Sequence, residues 1–191
     1  DIYFNLERYR ESDAAFSAVT RSGKQAAFYT SASYMRGWAQ LKLRDYERSL
    51  SSFVNVVDSR FSDTASIVNA SKGDRELLQD TIRAMSMIFS EGHGYSQIAD
   101  FFSRIGRRQY EYLVYDGLGK LYLSKEQYSD AAKTYLAFVN TNPKDVLAPA
   151  FYTRVVKSYH QAGYQDSVLK HKMAFIERYG VHSQFWNLYG E

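Results

Sequence analysis

Five tyrosines mark a beat that runs through most of this chain: Tyr9 in LERYRES, Tyr46 in LRDYERS, Tyr95 in GHGYSQI, Tyr128 in KEQYSDA and Tyr164 in QAGYQDS. Their separations are 37, 49, 33 and 36 positions. A nearly constant period of this length marks one supersecondary unit used repeatedly. A single unit of that size cannot bury its apolar face alone, so neighbours must stack on one another. The long second gap exceeds the others by roughly a dozen residues. The excess is expected at residues 58–73 (DSRFSDTASIVNASKG), a stretch rich in Ser, Asn and Asp that reads as an extended loop between units.

The unit itself reads as a pair of helices. Only two prolines occur in 191 residues, and aromatics reach 16%, with seventeen Tyr and twelve Phe. Few prolines favour uninterrupted helices, because an interior proline removes a backbone hydrogen bond and clashes with the preceding turn. From Leu113 onward the pattern is clearest: Tyr115, Leu118, Gly119 and Tyr122, then Tyr128, Ala131, Tyr135, Phe138 and Pro143. Leu118 with Tyr122, and Ala131 with Tyr135, lie one helical turn apart and so share a face. The small Gly119 and Ala131 let two helices approach while the aromatics fill the space beside them. Pro143 ends the second helix.

These residues, in this order and register, resemble the tetratricopeptide repeat, whose pattern is W-x2-L-G-x2-Y, then A-x3-F, then P. Tyr115 stands for the Trp, and Tyr135 for the Phe. The other units match more loosely: Ser49 stands at a small second-helix position, and Ser86, Ile98 and Val156 replace small residues elsewhere. The resemblance implies an all-α, right-handed superhelix of antiparallel helix pairs, a tetratricopeptide-like α-solenoid of about five repeats. Expected repeats span 1–22, 29–61, 74–106, 112–143 and 148–180 in one domain over 1–191. The chain reads as a piece of a longer protein, with an incomplete first repeat and a sixth begun by Phe185, Trp186 and Tyr189. The run APAFY at 148–152 is similar to envelope tetratricopeptide proteins of Gram-negative bacteria, such as the outer-membrane assembly lipoproteins. That likeness favours a periplasmic or outer-membrane-associated setting over the cytoplasm.

The family implies a binding role, since stacking leaves a concave face lined by first helices. Residues of those helices lying off the core stripe are Tyr34, Trp38, Leu41 and Lys42; Arg83, Met87 and Glu91; Asp116, Lys120 and Leu123; and Thr153, Lys157 and His160. Lys42, Arg83, Lys120 and Lys157 recur as a basic stripe beside a Tyr34/Trp38 platform. Such a face suits a protein or peptide partner carrying carboxylates and an apolar anchor. The plainer alternative is that these cations are solvated and Trp38 packs inward. The carboxylate clamp of the chaperone-binding branch needs a groove Asn that is not found, so that activity is not carried over. The expected function is a protein–protein interaction scaffold or assembly adaptor. The alternative is a structural spacer, or a regulatory module attached to an enzyme or export apparatus.

Nothing in the sequence points to catalysis or to a cofactor. There is no cysteine, hence no disulfide or thiolate metal site. Of the four histidines, His93 sits in Glu91-Gly92-His93-Gly94, which reads as a helix-ending turn rather than a metal fragment. His160 and His171 fall in different helices of one unit and read as surface or interhelical polar residues. No nucleophile elbow, phosphate-cradling loop or paired-carboxylate signature occurs. Arg104, Arg107 and Arg108 form the one dense basic cluster, read as charge at a helix C-terminus. A net charge of +3 gives no basis for a nucleic-acid partner. No run of about 18 apolar residues is present to cross a membrane.

Overall fold

Helix pairing follows from where small and aromatic residues alternate. The computed structural model describes residues 2–61, 63–92 and 94–189. Among these it holds eleven α-helices: α1 Ile2–Asn5, α2 Tyr9–Thr20, α3 Tyr29–Lys42, α4 Tyr46–Arg60, α5 Thr64–Val68, α6 Lys72–Glu91, α7 Ser96–Ile105, α8 Glu111–Ser124, α9 Tyr128–Thr141, α10 Ala148–Gln161 and α11 Gln165–Tyr179. A short 3-10 helix, Gln184–Leu188, follows, and no strand occurs among the described residues. The chain divides into two compact units, Asp1–Ile88 and Phe89–Glu191.

Sequential helices pack as antiparallel-type neighbours within each unit: α2, α3 and α4 in the first, and α8 through α11 in the second. In three pairs (α3/α4, α8/α9 and α10/α11) the second helix starts the same distance after the first, at 29 and 46, 111 and 128, 148 and 165. The closest approaches occur at glycines. A Cβ on Gly37 would stand 2.8 Å from the Phe53 ring of α4, and one on Gly119 would lie closer still to the Tyr135 ring of α9. Phe53, Tyr135, Tyr115, Leu118, Ala131 and Phe138 are all buried, as the helical spacing predicts. Where the sequence departs from the small-residue pattern, hydroxyls compensate. Ser49 is buried and donates to the Gly37 carbonyl at 2.7 Å, and Ser86 donates to the Ile82 carbonyl of its own helix at 2.8 Å. A buried hydroxyl is tolerated when it closes such a bond.

The turns repeat more faithfully than the sequence does. Glu7, Arg44, Gly94, Glu126 and Gly163 all adopt left-handed φ, between 57° and 74°, and each lies two residues before the helix that follows it. At four of them the same two backbone bonds close the first helix. The Arg44 N–H donates to the Leu41 carbonyl and the Asp45 N–H to that of Gln40, each at 2.9 Å; Glu7, Glu126 and Gly163 lead equivalent sets. This is the Schellman arrangement, which satisfies carbonyls that a helix end leaves orphaned. The landmark tyrosines sit just beyond: Tyr9, Tyr46 and Tyr128 open their helices, while Tyr95 and Tyr164 occupy the position before.

One expectation is corrected. Residues 58–73 are not an extended loop. α4 continues to Arg60, α5 occupies Thr64–Val68, and α6 already begins at Lys72. The polar residues there act as caps. Asp63 accepts from the Ser66 N–H at 2.7 Å while the Ser66 hydroxyl stands 3.3 Å from the Asp63 N–H, and the Ser71 hydroxyl accepts from the Asp74 N–H at 3.1 Å. Ser and Asp mark helix starts as often as loops, because their side chains bond free N–H groups. Phe185, Trp186 and Tyr189 lie in or beside the 3-10 helix Gln184–Leu188. Phe185 packs edge-on against Tyr179 with centroids 4.9 Å apart, and the Trp186 indole donates to the Tyr179 carbonyl at 3.0 Å, folding this segment back on α11.

These contacts give opposite signs to two glycine substitutions. Gly119→Ala removes a poor helix former, yet its methyl meets a fully buried ring; a loss of about 1–3 kcal/mol is expected in urea unfolding. Glu126→Gly relieves a non-glycine left-handed residue, partly offset by a freer unfolded chain, so a gain of up to about 1 kcal/mol is expected.

Candidate functional site

In the first unit, Tyr34 and Trp38 lie one turn apart on α3 and form an edge-to-face pair with centroids 6.2 Å apart. Both also meet Phe53 edge-on, at 6.1 and 5.8 Å, so part of the expected platform is spent on the helix pair itself. Gly37, between them, is what allows Phe53 to reach this position. Each ring remains half-buried and thus offers one surface outward. Lys42 in the last turn of α3 and Arg83 on α6 are exposed. Sequence reasoning missed Asp13 of α2. Its carboxylate accepts from Arg36 at 2.9 Å and Gln40 at 2.8 Å on α3, and from Arg48 of α4 at 3.3 Å, tying three helices together.

The second unit brings together residues from two consecutive first helices. Asp116 of α8 pairs with Lys120 one turn on, at 2.8 Å, and with Arg154 of α10. Arg154 is the residue that sequence reasoning passed over. Its guanidinium also lies over the Phe151 ring, 4.8 Å from the centroid, and near Tyr135. A planar, weakly hydrated guanidinium can hold a carboxylate and a ring at once. Burial, together with Asp116 nearby, pushes the Tyr135 phenol up to about 12. A usable signal existed: Asp116 and Arg154 are opposite charges about one repeat period apart.

Lys157 and His160 follow Arg154 on the same side of α10 at successive steps of three residues, and both are exposed. The expected stripe is therefore modified. Lys120 is partnered rather than free, and Arg154 adds a cation that the register did not place. Tyr34, Trp38, Lys42 and Arg83 belong to the first unit; Asp116, Lys120, Lys157 and His160 belong to the second. Lys120, Arg154 and Lys157 against one Asp116 leave the α8/α10 face with an excess of positive charge.

The arginine cluster is built into the structure. Arg107 pairs with the buried Glu111 at 3.0 Å and donates to Asn142 at 2.9 Å. Arg108 donates to the Gly106 carbonyl at 2.8 Å, just beyond the end of α7, where cations and extra donors are favoured. Burial nonetheless raises the Glu111 carboxyl above its ordinary range. No group of three or more His, Asp or Glu side chains suited to a metal occurs among the described residues, and His93 lies outside them. No helix of the described residues is long and apolar enough to cross a membrane. Compared with known proteins, the chain matches no family model and no curated sequence.

His171, within α11, is interhelical rather than a surface residue. Its ring stacks on Tyr159 at 5.1 Å, and its Nδ1 stands 3.1 Å from the Tyr152 hydroxyl. Burial first, then Lys170 and Arg178, lower its pKa below 6.5. The folded chain thus binds fewer protons than the unfolded one in this range. The contribution of His171 is fully present above pH 6.5 and is lost as pH falls through the lowered folded value. Thermal melts from pH 7 to about pH 5 are expected to show a smaller acid-side decline in His171→Phe than in the natural chain.

Proposed function

We propose that this chain is a tetratricopeptide-type array whose first-helix face holds an extended, acidic segment of a partner protein. On this reading it is an interaction scaffold or assembly adaptor with no chemistry of its own. The repeated helix spacing and the repeated left-handed turns support stacking of like units into a right-handed superhelix. Within each unit, stacked helix pairs present their first helices on one face.

The observation that carries the binding role is the Asp116–Arg154 pair. It bridges α8 and α10, the first helices of consecutive pairs on this reading, with exposed Lys120 and Lys157 beside it. An ion pair between consecutive first helices holds the cations at fixed spacing, which favours a ligand with regularly placed carboxylates. Arg and Lys fixed in this way bind carboxylates through charge-assisted hydrogen bonds, Arg in bidentate fashion. Tyr34 and Trp38 supply the kind of amphipathic ring surface on which an apolar anchor rests. A Gram-negative envelope setting remains part of the proposal through the APAFY likeness at 148–152.

Fluorescence anisotropy with a labelled Glu- and Leu-rich peptide tests this. The Lys120→Glu, Lys157→Glu variant is expected to bind about tenfold or more weakly, and natural binding to weaken as salt rises. Unchanged affinity in the variant, or equal binding of a Lys- and Leu-rich peptide, would overturn the reading in favour of a spacer.

A further inference from the structure

Charge is unevenly matched where Arg154 of α10 reaches Asp116 of α8. Around Asp13 in the first unit, Arg36 and Arg48 are balanced by Asp13 and Asp45. At Asp116 two cations share one carboxylate: Lys120 pairs with Oδ2 at 2.8 Å, and Arg154 pairs with Oδ1. Both carboxylate oxygens are thereby engaged, and a single positive charge is left over. The three groups also differ in depth. The Asp116 side chain is 16% exposed, against 39% for Arg154 and 68% for Lys120, so the carboxylate lies beneath cations that still face solvent. The Arg154 guanidinium has no acceptor but Asp116 among the described residues, which leaves most of its donors open.

The charge of Asp116 is felt despite its two partners. At the Tyr135 phenol, pushed up to about 12, burial acts first, and Asp116 then raises it by more than Arg154 lowers it. Tyr112, one turn before Asp116 on α8, responds to the same carboxylate. Burial raises its phenol most, followed by Asp116 and then Asp145. An anion arriving at Lys120 and Arg154 therefore meets the attraction of two cations and the repulsion of one poorly screened carboxylate.

The number of charges on the ligand then decides the fit. A ligand carboxylate brings one negative charge, which the leftover cation neutralises. A phosphate monoester brings about 1.5 to 2 at pH 7, so it leaves excess negative charge beside a largely buried carboxylate. Charge held away from water without a partner is costly. Given the binding role proposed above, we infer that Asp116 sets the specificity of the α8/α10 face, admitting partner segments that carry carboxylates and turning away phosphorylated ones.

Fluorescence anisotropy of the full chain at about pH 7.5 compares two labelled peptides: the Glu- and Leu-rich peptide, and the same peptide with phosphoserine replacing one central Glu. The natural chain is expected to bind the phosphoserine peptide about threefold or more weakly, a comparison that needs no variant. Asp116→Asn removes the charge and keeps an oxygen that can accept from Arg154. It is expected to raise affinity about tenfold for the phosphoserine peptide and about threefold for the Glu peptide, so the preference disappears. Asp116→Ser takes its place if the first variant melts below the natural chain. Equal or tighter binding of the phosphoserine peptide by the natural chain overturns the specificity role and leaves the scaffold reading standing. So does a folded Asp116 variant that keeps the preference or weakens both peptides alike, since such a residue only positions Arg154. If neither peptide binds the natural chain, the scaffold reading falls and the specificity role falls with it.

Discussion

The close approach of an aromatic ring to a residue without a side chain is the contact on which the α3/α4 and α8/α9 pairs depend. Phe53 lies against Gly37, and Tyr135 against Gly119, at distances that no Cβ would permit. That approach brings the two helices near enough for the flanking side chains to interlock, and dispersion contacts accumulate only at such range. The same geometry then places other groups. Tyr34 and Trp38 flank Gly37 and converge on Phe53, while Arg154 lies near the Tyr135 ring that Gly119 admits. Packing and candidate site share one cause.

A recurring backbone turn accompanies this pairing. Five turns place a left-handed residue at the same distance before the next helix, yet only two of those residues are glycine. Glu7, Arg44 and Glu126 accept a conformation that is costly for a residue with a Cβ. The two closing hydrogen bonds, together with burial of the helices they join, offset that cost. The turn is thus imposed by the packing around it as much as by its own residues. This explains why the turn repeats while its sequence drifts.

Electrostatics here serves position more than strength. Asp13 and Asp116 each gather donors from more than one helix, and each is itself largely buried. A largely buried carboxylate needs its partners, so the helices carrying them are held in register. Arg107 and Arg108 serve the end of α7 and the buried Glu111 in the same manner. Basic residues that look alike in sequence divide into those that fasten helices and those, such as Lys42 and Lys157, that stand in solvent.

Several features were legible from the residue order alone. The three-dozen-residue beat, the helical faces of Leu118, Tyr122, Ala131 and Tyr135, the small positions at Gly37 and Gly119 and the helix bounds near 29–60 and 111–179 all follow from local periodicity, which the chain carries in itself. Short-range rules also had blind spots. Asp63, Ser66 and Ser71 read as loop because a capping residue and a loop residue are the same residue types, and only the neighbouring backbone N–H groups tell them apart. The partner of Asp116, the burial of Phe53 beneath Tyr34 and Trp38, and the full burial of Tyr115 were decided by tertiary structure. Each depends on which surfaces of separate helices meet, and at what distance, and periodicity within one helix carries no information about that.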